Sequence, residues 1–190
     1  MGFDSIADIN AAATGQAELV VGPEHLQRVI RNGVLAARVS LDLTTADLKS
    51  VTVPDRNGQS QSILKLLRRQ AKRGIEVRIL HAGVPSGPAL EELRGGLPPA
   101  MHIRRCPRVH AKVVIVDSTA MYLGSANLTG AGLGAKAAHR RNFELGIWTE
   151  SPALIDGAAD EFNAIWEGSW CEGSGRRDVC PVPLEEPELP

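Results

Sequence analysis

The sequence predicts an α/β fold in which a mixed β-sheet is flanked by helices. The strongest observation is a helix–glycine–strand step: an amphipathic segment at 62–73 ends at Gly74 and is followed by an alternating apolar segment at 75–80. Such a step is typical of a strand that is covered by a helix. The chain has 190 residues, 43% hydrophobic and 23% charged, which is sufficient for one domain with a buried core.

Hydrophobic periodicity predicts the other elements in chain order. Apolar residues at helical spacing predict a helix at 24–34, and Pro-Asp and Asn-Gly turns predict a loop at 44–61. A Gly- and Pro-rich segment at 83–99 predicts a second loop with a short helix at 89–94, and a last helix is predicted at 153–167. Alternation of apolar and polar residues predicts strands at 36–43, 75–80, 101–105, 109–117, 121–123 and 142–149.

Composition divides the chain into an N-terminal segment at 1–18, a domain at 19–170 and an acidic, Pro-rich tail at 171–190. No run of about 18 apolar residues is present, so no integral membrane association is expected. The N-terminus lacks the basic start and apolar stretch of a secretory signal, so a cytoplasmic location is expected. Three widely spaced cysteines predict reduced thiols, with a Cys171–Cys180 bridge in the tail as the alternative.

Charge is segregated along the chain, although the net charge is only −1. Residues 56–141 carry 15 Lys and Arg against four acids, whereas both flanking regions are acidic. A basic centre favours a polyanionic partner. The alternative is that folding brings the acidic flanks back beside the basic residues.

A small set of polar residues has the pattern of a phosphate site. In a strand at 109–117, period-two alternation places His110 and Lys112 on the same face. The lysine then supplies a positive charge beside an imidazole, which suits an anionic tetrahedral group. Ser125 and Asn127 lie in a Gly-rich turn and offer hydrogen-bond donors to phosphate oxygens. Glu144 is placed on a later strand to accept a hydrogen bond from His110 and to fix its tautomer.

These residues stand at fixed spacing. The positions are His110-x-Lys112-x4-Asp117-x6-Gly124-Ser125-x-Asn127, with Asn142-x-Glu144 trailing. The pattern resembles the motif of the phospholipase D superfamily, and the order of strands and helices over 19–167 is compatible with that family. The resemblance implies a phospholipase D-like fold with one motif per chain.

The resemblance further implies phosphodiester hydrolysis without a metal or another cofactor. The motif histidine, here His110, attacks phosphorus to form a phosphohistidine, while Lys112, Ser125 and Asn127 stabilise charge on the phosphate oxygens. Glu144 orients His110, and Asp117 has a supporting role. A second histidine must protonate the leaving alcohol. Because the chain has no second His-x-Lys, the resemblance implies a homodimer in which two motifs complete one active site.

Within this superfamily we expect a nuclease that acts on DNA or RNA, because the chain is compact, has a basic centre and carries a single motif. A phospholipid or other small-phosphodiester hydrolase is the alternative. A second alternative is a non-catalytic nucleic-acid-binding module of a bacterial defence or restriction complex, with the partner proteins of such a system. Contacts to the substrate are expected from arginines that flank the motif, namely Arg104, Arg105, Arg108, Arg140 and Arg141.

Overall fold

The structure, a computed structural model, describes residues 17–54, 59–176 and 180. The strands of these residues are β1 (Ala17–Val21), β2 (Ser40–Thr45), β3 (Thr52–Pro54), β4 (Ser60–Ser62), β5 (Glu76–His81), β6 (Met101–Arg105), β7 (Lys112–Val116), β8 (Ala120–Gly124) and β9 (Leu145–Thr149). Seven of them form one sheet in the order β1-β9-β8-β7-β2-β5-β6, and β3 and β4 form a separate hairpin. In the large sheet β2, β5 and β6 are parallel and the other neighbours are antiparallel, so the sheet is mixed.

Helices cover both faces of the sheet. The helix α1 (Ile63–Ala71) and the helix α2 (Gly87–Arg94) pack on one face, and α3 (Pro152–Trp166) packs on the other. The hydroxyl of Ser62 begins α1 by accepting the backbone N–H of Leu64 at 3.2 Å. Gly74 follows the helix with φ +90°, a conformation that favours glycine. The predicted mixed sheet flanked by helices is therefore confirmed.

Several predicted boundaries differ from the structure. The helix predicted at 24–34 is a π-helical segment, Leu26–Arg31, followed by a short 3-10 turn, Val34–Ala36. It is interrupted where Trp148 packs against Gly33, since a Cβ at that glycine would lie 2.7 Å from the indole ring. The strand predicted at 36–43 is β2, shifted toward the C-terminus, and the loop predicted at 44–61 contains the β3–β4 hairpin.

Strand β1 was not predicted, because it is an edge strand on which Val20 alone is buried. It begins at Ala17, two residues before the domain boundary that composition suggests, and most of the predicted tail lies outside the described residues. Within the described residues, no helix is both long and apolar enough to cross a membrane. The three cysteines are buried, and no disulfide joins them.

Candidate active site

Polar residues from distant parts of the chain meet where several strands of the large sheet end. The parallel pairing of β2 with β5 places Thr45 beside His81. The antiparallel pairing of β2 with β7 ends with Thr44 opposite Val113, which puts Thr45 next to Lys112. Strand β8 ends on the same side of the sheet, where it is paired with the start of β7. The ends of β2, β5 and β8 and the start of β7 therefore surround the predicted motif.

The side chains of His110 and Lys112 meet as predicted, although His110 is not in the strand. Strand β7 begins at Lys112, so His110 lies two residues before it and is exposed, whereas Lys112 is only 8% exposed. The Lys112 ammonium nitrogen lies 3.2 Å from Nδ1 and 3.3 Å from Nε2 of the imidazole. It also donates to the carbonyl oxygen of His110 at 2.6 Å. A positive charge is thus fixed beside an accessible imidazole, which is the arrangement that an anionic substrate requires.

Glu144 is buried beneath the glycine-rich turn and binds Ser125. The Ser125 hydroxyl donates to one carboxylate oxygen of Glu144, and the side-chain amide of Asn142 donates to the other at 2.9 Å. The Ser125 hydroxyl also accepts the backbone N–H of Leu145 at 3.1 Å. Among the described residues these are the partners of the carboxylate, so the predicted hydrogen bond from His110 to Glu144 is not present within this chain. Glu144 instead orients Ser125.

Asn127 is held by the end of β2 in a defined orientation. Its side-chain oxygen accepts from the backbone N–H groups of Ala46 and Asp47, at 3.0 and 3.4 Å. It also lies 3.2 Å from the hydroxyl oxygen of Thr45, which donates its proton to the carbonyl oxygen of Asp47 at 2.7 Å. Because two backbone donors fix the oxygen, the amide NH₂ is left to donate away from β2. Thr45 is fully buried and also accepts the backbone N–H of Leu128 at 3.1 Å. Its part in holding the turn was not predicted.

Asp117 is not brought into this cluster. It follows β7 at the end opposite Lys112, and a rise of about 3.3 Å per residue separates the two by about 16 Å. Its carboxylate accepts the backbone N–H groups of Arg38, Val39 and Ser40 at 2.8–3.1 Å. These bonds join β7 to the chain that enters β2, so the contacts of Asp117 are structural rather than catalytic.

The two predicted substrate-binding arginines on β6 are bonded within the fold. Arg104 donates to the carbonyl oxygen of Trp166 and lies over the ring of the same residue, 4.6 Å from its centroid. This side chain therefore packs against α3. Arg105 is the last residue of β6, on the side of the sheet that carries the site, and is paired with His81. Its Nε donates to the carbonyl oxygen of Ala82 at 3.0 Å. Its remaining guanidinium N–H groups are available to an anion.

The other three predicted arginines lie in the loops around the motif. Arg108 is exposed two residues before His110 and reaches the carbonyl oxygen of Trp170 only at 3.4 Å. Arg140 is exposed at the end of a 3-10 turn, Ala138–Arg140. Arg141 donates to the carbonyl oxygen of Lys136 and is half-buried. Arg108 and Arg140 are therefore the most accessible of the set.

His81 is a buried neighbour of the site that is held neutral. Burial lowers the pKa of its imidazole, and the positive charge of Arg105 lowers it further. Nδ1 lies 2.8 Å from the carbonyl oxygen of Gly83, whereas Nε2 has no partner among the described residues. Nowhere in the part of the chain that the structure describes do three His, Cys, Asp or Glu side chains converge to hold a metal ion.

Comparison with known proteins places this fold in context. A family model described as "Cardiolipin synthase, PLD-like domain" matches residues 35–166. NucT from Helicobacter pylori has a similar structure, with a TM-score of 0.60, 18% identity, and coverage of 78% of this chain and 94% of that chain. Nuc from Salmonella typhimurium, a phospholipase D family member, gives a TM-score of 0.56, 22% identity, and coverage of 78% and 92%.

A third similar structure is TrmBL2, an archaeal chromatin protein whose structure shows a mode of DNA binding. Its TM-score is 0.52 and its identity 14%, with coverage of 80% of this chain and 52% of that chain. At these identities the three likenesses concern the fold. A search of curated proteins finds no significant match.

Proposed function

The chain belongs to the phospholipase D superfamily, and on that premise we propose that it is a metal-independent phosphodiesterase whose substrate is nucleic acid. The observation that carries this proposal is the contact between Lys112 and the exposed imidazole of His110, 3.2 Å apart, at the end of the sheet where the turn with Asn127 is bonded to β2. An imidazole nucleophile, a fixed positive charge and a neutral donor are groups that serve phosphoryl transfer through a phosphohistidine.

In the first step, a ring nitrogen of His110 attacks phosphorus and a P–N bond forms while the bond to the leaving oxygen breaks. Negative charge on the non-bridging oxygens is stabilised by the ammonium of Lys112 and the NH₂ group of Asn127. The Ser125 hydroxyl donates to Glu144, so its role is to hold the turn and not to donate to the phosphate. The leaving oxygen takes a proton from a second histidine, and the released product is an alcohol.

In the second step, the same second histidine accepts a proton from water as the water oxygen attacks phosphorus. The P–N bond breaks, His110 is regenerated and a phosphomonoester is released. We propose that the second histidine is His110 of another copy of this chain, so that two motifs face each other in a homodimer.

An uncovered apolar surface beside the site supports a homodimer. Leu19, Val21, Leu123 and Leu145 lie on one face of β1, β8 and β9 and are between 42% and 62% exposed. Phe143, next to Glu144, is fully exposed. Helix α3 packs on this side of the sheet but leaves these residues in solvent. Exposed apolar residues that adjoin an active site are typical of an interface that completes the site.

Light scattering tests the homodimer. We expect the wild-type protein to have twice the mass of one chain and Leu145→Glu to be monomeric and inactive, because the charge is placed in the apolar surface. Val39→Glu is the matched control, since Val39 is also exposed but lies at the opposite end of β2. An active monomeric wild type would exclude the shared site.

Mixing inactive and active copies provides a second test. When wild-type and His110→Ala chains are refolded together in equal amounts, a shared site predicts about a quarter of the wild-type activity, since both copies must carry the histidine. Independent sites predict about half of it. Size-exclusion profiles of the mixture confirm that the variant chains assemble normally.

The charge distribution favours nucleic acid over other phosphodiesters. Residues 56–141 hold 15 Lys and Arg against four acids, and this segment contains the site. A polyphosphate backbone is attracted by such an excess, and its binding is weakened by salt. The fold of this chain is similar to that of TrmBL2, which is described as a DNA-binding chromatin protein.

Cleavage of labelled single-stranded DNA, double-stranded DNA and RNA in excess EDTA tests the proposed function. We expect the wild type to cleave at least one of them and His110→Ala to cleave none, because only the wild type carries the nucleophile. His139→Ala is the matched control: His139 is exposed and lies outside the site cluster. Equal cleavage by His110→Ala would remove His110 from the nucleophile role, and loss of wild-type cleavage in EDTA would exclude the metal-independent mechanism.

Phospholipid is the second candidate substrate. The matching family model is described as a cardiolipin synthase, PLD-like domain, and the apolar side chains of Phe143 and Leu145 are exposed beside Glu144. Vesicles of phosphatidylglycerol and of cardiolipin serve as substrates in the same EDTA buffer. Release of headgroup by the wild type, without cleavage of any nucleic acid, would favour the lipid.

A further inference from the structure

A buried histidine and a buried tyrosine contact each other beneath the site. His25 is 0% and Tyr122 1% exposed, and Nε2 of His25 lies 2.8 Å from the Tyr122 hydroxyl oxygen. The rings meet edge to face, with centroids 5.2 Å apart and an interplanar angle of 81°. The two residues are 97 positions apart in the sequence. A fully buried polar pair of this kind is retained only when its hydrogen bonds are satisfied.

The direction of each hydrogen bond in this group follows from its neighbours. Nδ1 of His25 lies 2.8 Å from the carbonyl oxygen of Gly22 and must donate to it, since a carbonyl only accepts. In the neutral imidazole Nε2 is then an acceptor, so the Tyr122 hydroxyl donates to His25. The Tyr122 oxygen in turn accepts the backbone N–H of Ala126 at 3.3 Å.

This group ties the two halves of the site together. Ala126 stands between Ser125 and Asn127, so Tyr122 holds the peptide that sets the spacing of their side chains. At the other end, the backbone N–H of Gly22 donates to the carbonyl oxygen of Glu144 at 3.0 Å. A continuous series of hydrogen bonds therefore runs from the turn through Tyr122 and His25 to the backbone of the residue that orients Ser125.

Two glycines make room for the tyrosine. A Cβ at Gly124, the glycine of the motif, would lie 2.3 Å from the Tyr122 hydroxyl. A Cβ at Gly146 would lie 2.3 Å from the edge of the same ring. Neither distance is compatible with a side chain larger than hydrogen. The ring is thus pressed against the backbone of both strands that carry the site.

We propose that Tyr122 and His25 are positioning residues for the proposed phosphodiester chemistry, and that they fix the spacing between the Ser125 hydroxyl and the Asn127 amide through Ala126. This inference rests on the function proposed above. Burial raises the pKa of Tyr122 to about 12, so its hydroxyl stays protonated and continues to donate at neutral pH. The position of the Asn127 donor relative to Ser125 is therefore set before the substrate binds, which is the condition for efficient charge stabilisation.

Tyr122→Phe tests the proposal because it keeps the ring and removes only the hydroxyl. We expect kcat to fall about tenfold while KM changes less than about twofold, since the Asn127 donor is displaced relative to the transition state. His25→Gln leaves the tyrosine in place without its acceptor and is expected to lower kcat in the same direction. Gln70→Met is the matched control, because the Gln70 amide makes a buried hydrogen bond to the carbonyl oxygen of Val34, remote from the site.

An unchanged kcat in folded Tyr122→Phe, with stability lowered as in Gln70→Met, would show that the pair only fills the core. A second measurement does not depend on turnover and separates failure of this inference from failure of the proposed function. Inorganic phosphate is titrated while the Ala126 backbone and Asn127 side-chain amide signals are followed by NMR. Displaced signals of both amides in Tyr122→Phe, with phosphate binding kept within about twofold, would support the proposal. Unshifted Asn127 signals, free and with phosphate bound, would overturn it.

Discussion

The ammonium group of Lys112 is bonded to the residue that it is proposed to assist: its nitrogen lies 3.2 Å from Nδ1 of His110 and 2.6 Å from the carbonyl oxygen of His110. Lys112 is only 8% exposed, and no carboxylate among the described residues lies within ion-pair distance of it. A buried cation without a counter-ion is costly to the fold and attracts anions strongly. The site therefore favours an anion before any particular substrate is considered.

Lys112→Met is expected to abolish activity without destabilising the protein. Removing a charge that stabilises the transition state lowers kcat/KM by at least about 10³-fold. The thermal midpoint is expected to stay the same or rise, because an apolar side chain of similar length replaces an unpaired buried charge. Kinetics and calorimetry check the two effects separately.

Phosphate provides the control for this prediction. Inorganic phosphate is expected to raise the thermal midpoint of the wild type and of Lys136→Met, in which an exposed lysine is replaced. It is expected not to raise that of Lys112→Met. Equal stabilisation of all three proteins would show that the anion binds elsewhere.

Asn127→Asp is expected to separate the structural role of the side-chain oxygen from the role of the NH₂ group as a donor to the substrate. The new carboxylate is still able to accept the two backbone hydrogen bonds from the end of β2, so the fold and the thermal midpoint are retained. It loses the outward NH₂ donor and places negative charge toward the phosphate, so kcat/KM is expected to fall by about 10²–10³-fold. Steady-state kinetics on the best substrate measures this loss. A variant with more than half of the wild-type activity would show that the amide donor is not used.

Thr45→Val tests the support that the end of β2 gives to the Asn127 side chain. The hydroxyl donates to the carbonyl oxygen of Asp47 and accepts the backbone N–H of Leu128, so its removal loosens the contact between the end of β2 and the turn that carries Asn127. We expect about a tenfold loss of kcat with KM little changed. Thr45→Ser keeps the hydroxyl and is expected to retain most of the activity. An equal loss of activity in Thr45→Ser would show that the hydroxyl alone does not maintain the turn and would contradict this explanation.

Asp117→Ala is expected to affect stability and not chemistry. Three backbone N–H groups lose their acceptor, and φ of +52° at this position disfavours alanine. A loss of about 1–3 kcal/mol in the free energy of unfolding is expected, with kcat unchanged in the folded protein. Asp117→Asn keeps one acceptor oxygen and tolerates the backbone conformation, so its loss is expected to be smaller. A large fall in kcat of fully folded Asp117→Asn would restore Asp117 to the catalytic set.

The contrast between Asp117 and Lys112 shows what short spacing does and does not determine. The two-residue step from His110 to Lys112 is local, and the sequence predicted their meeting correctly. The five-residue step to Asp117 runs along a strand, where the rise per residue already separates the two by about 16 Å. Strand geometry alone therefore argued against a place for Asp117 in the site. The resemblance to a family motif suggested such a role because a motif lists residues without their positions in space.

Residues that depend on long-range pairing were not predictable from the sequence. Thr45 meets Asn127 across 82 positions, and His25 meets Tyr122 across 97. Both contacts exist only because the strand order places β2 beside β7 and β8 beside β9. In the sequence Thr45 falls in the loop predicted at 44–61, and His25 is a lone histidine in a predicted helix, for which a structural role was the reasonable expectation. Fold class and motif follow from local patterns, whereas the residues that hold the motif in place follow from topology.

The stability of the protein is expected to fall in mild acid because of His81. Burial lowers the pKa of this imidazole, so the folded protein keeps it neutral, whereas the unfolded chain takes up a proton below a pH of about 6.5. The stabilisation is thus complete above that pH and is lost progressively as the pH falls toward the lowered pKa, by at most about 1.4 kcal/mol per pH unit.

Urea unfolding at about pH 7.5 and about pH 5 measures the slope. His81→Asn removes the titrating group while its amide is able to donate to the carbonyl oxygen of Gly83, so the variant is expected to lose less stability over this range than the wild type. Parallel losses in the two proteins would show that another group controls the acid sensitivity.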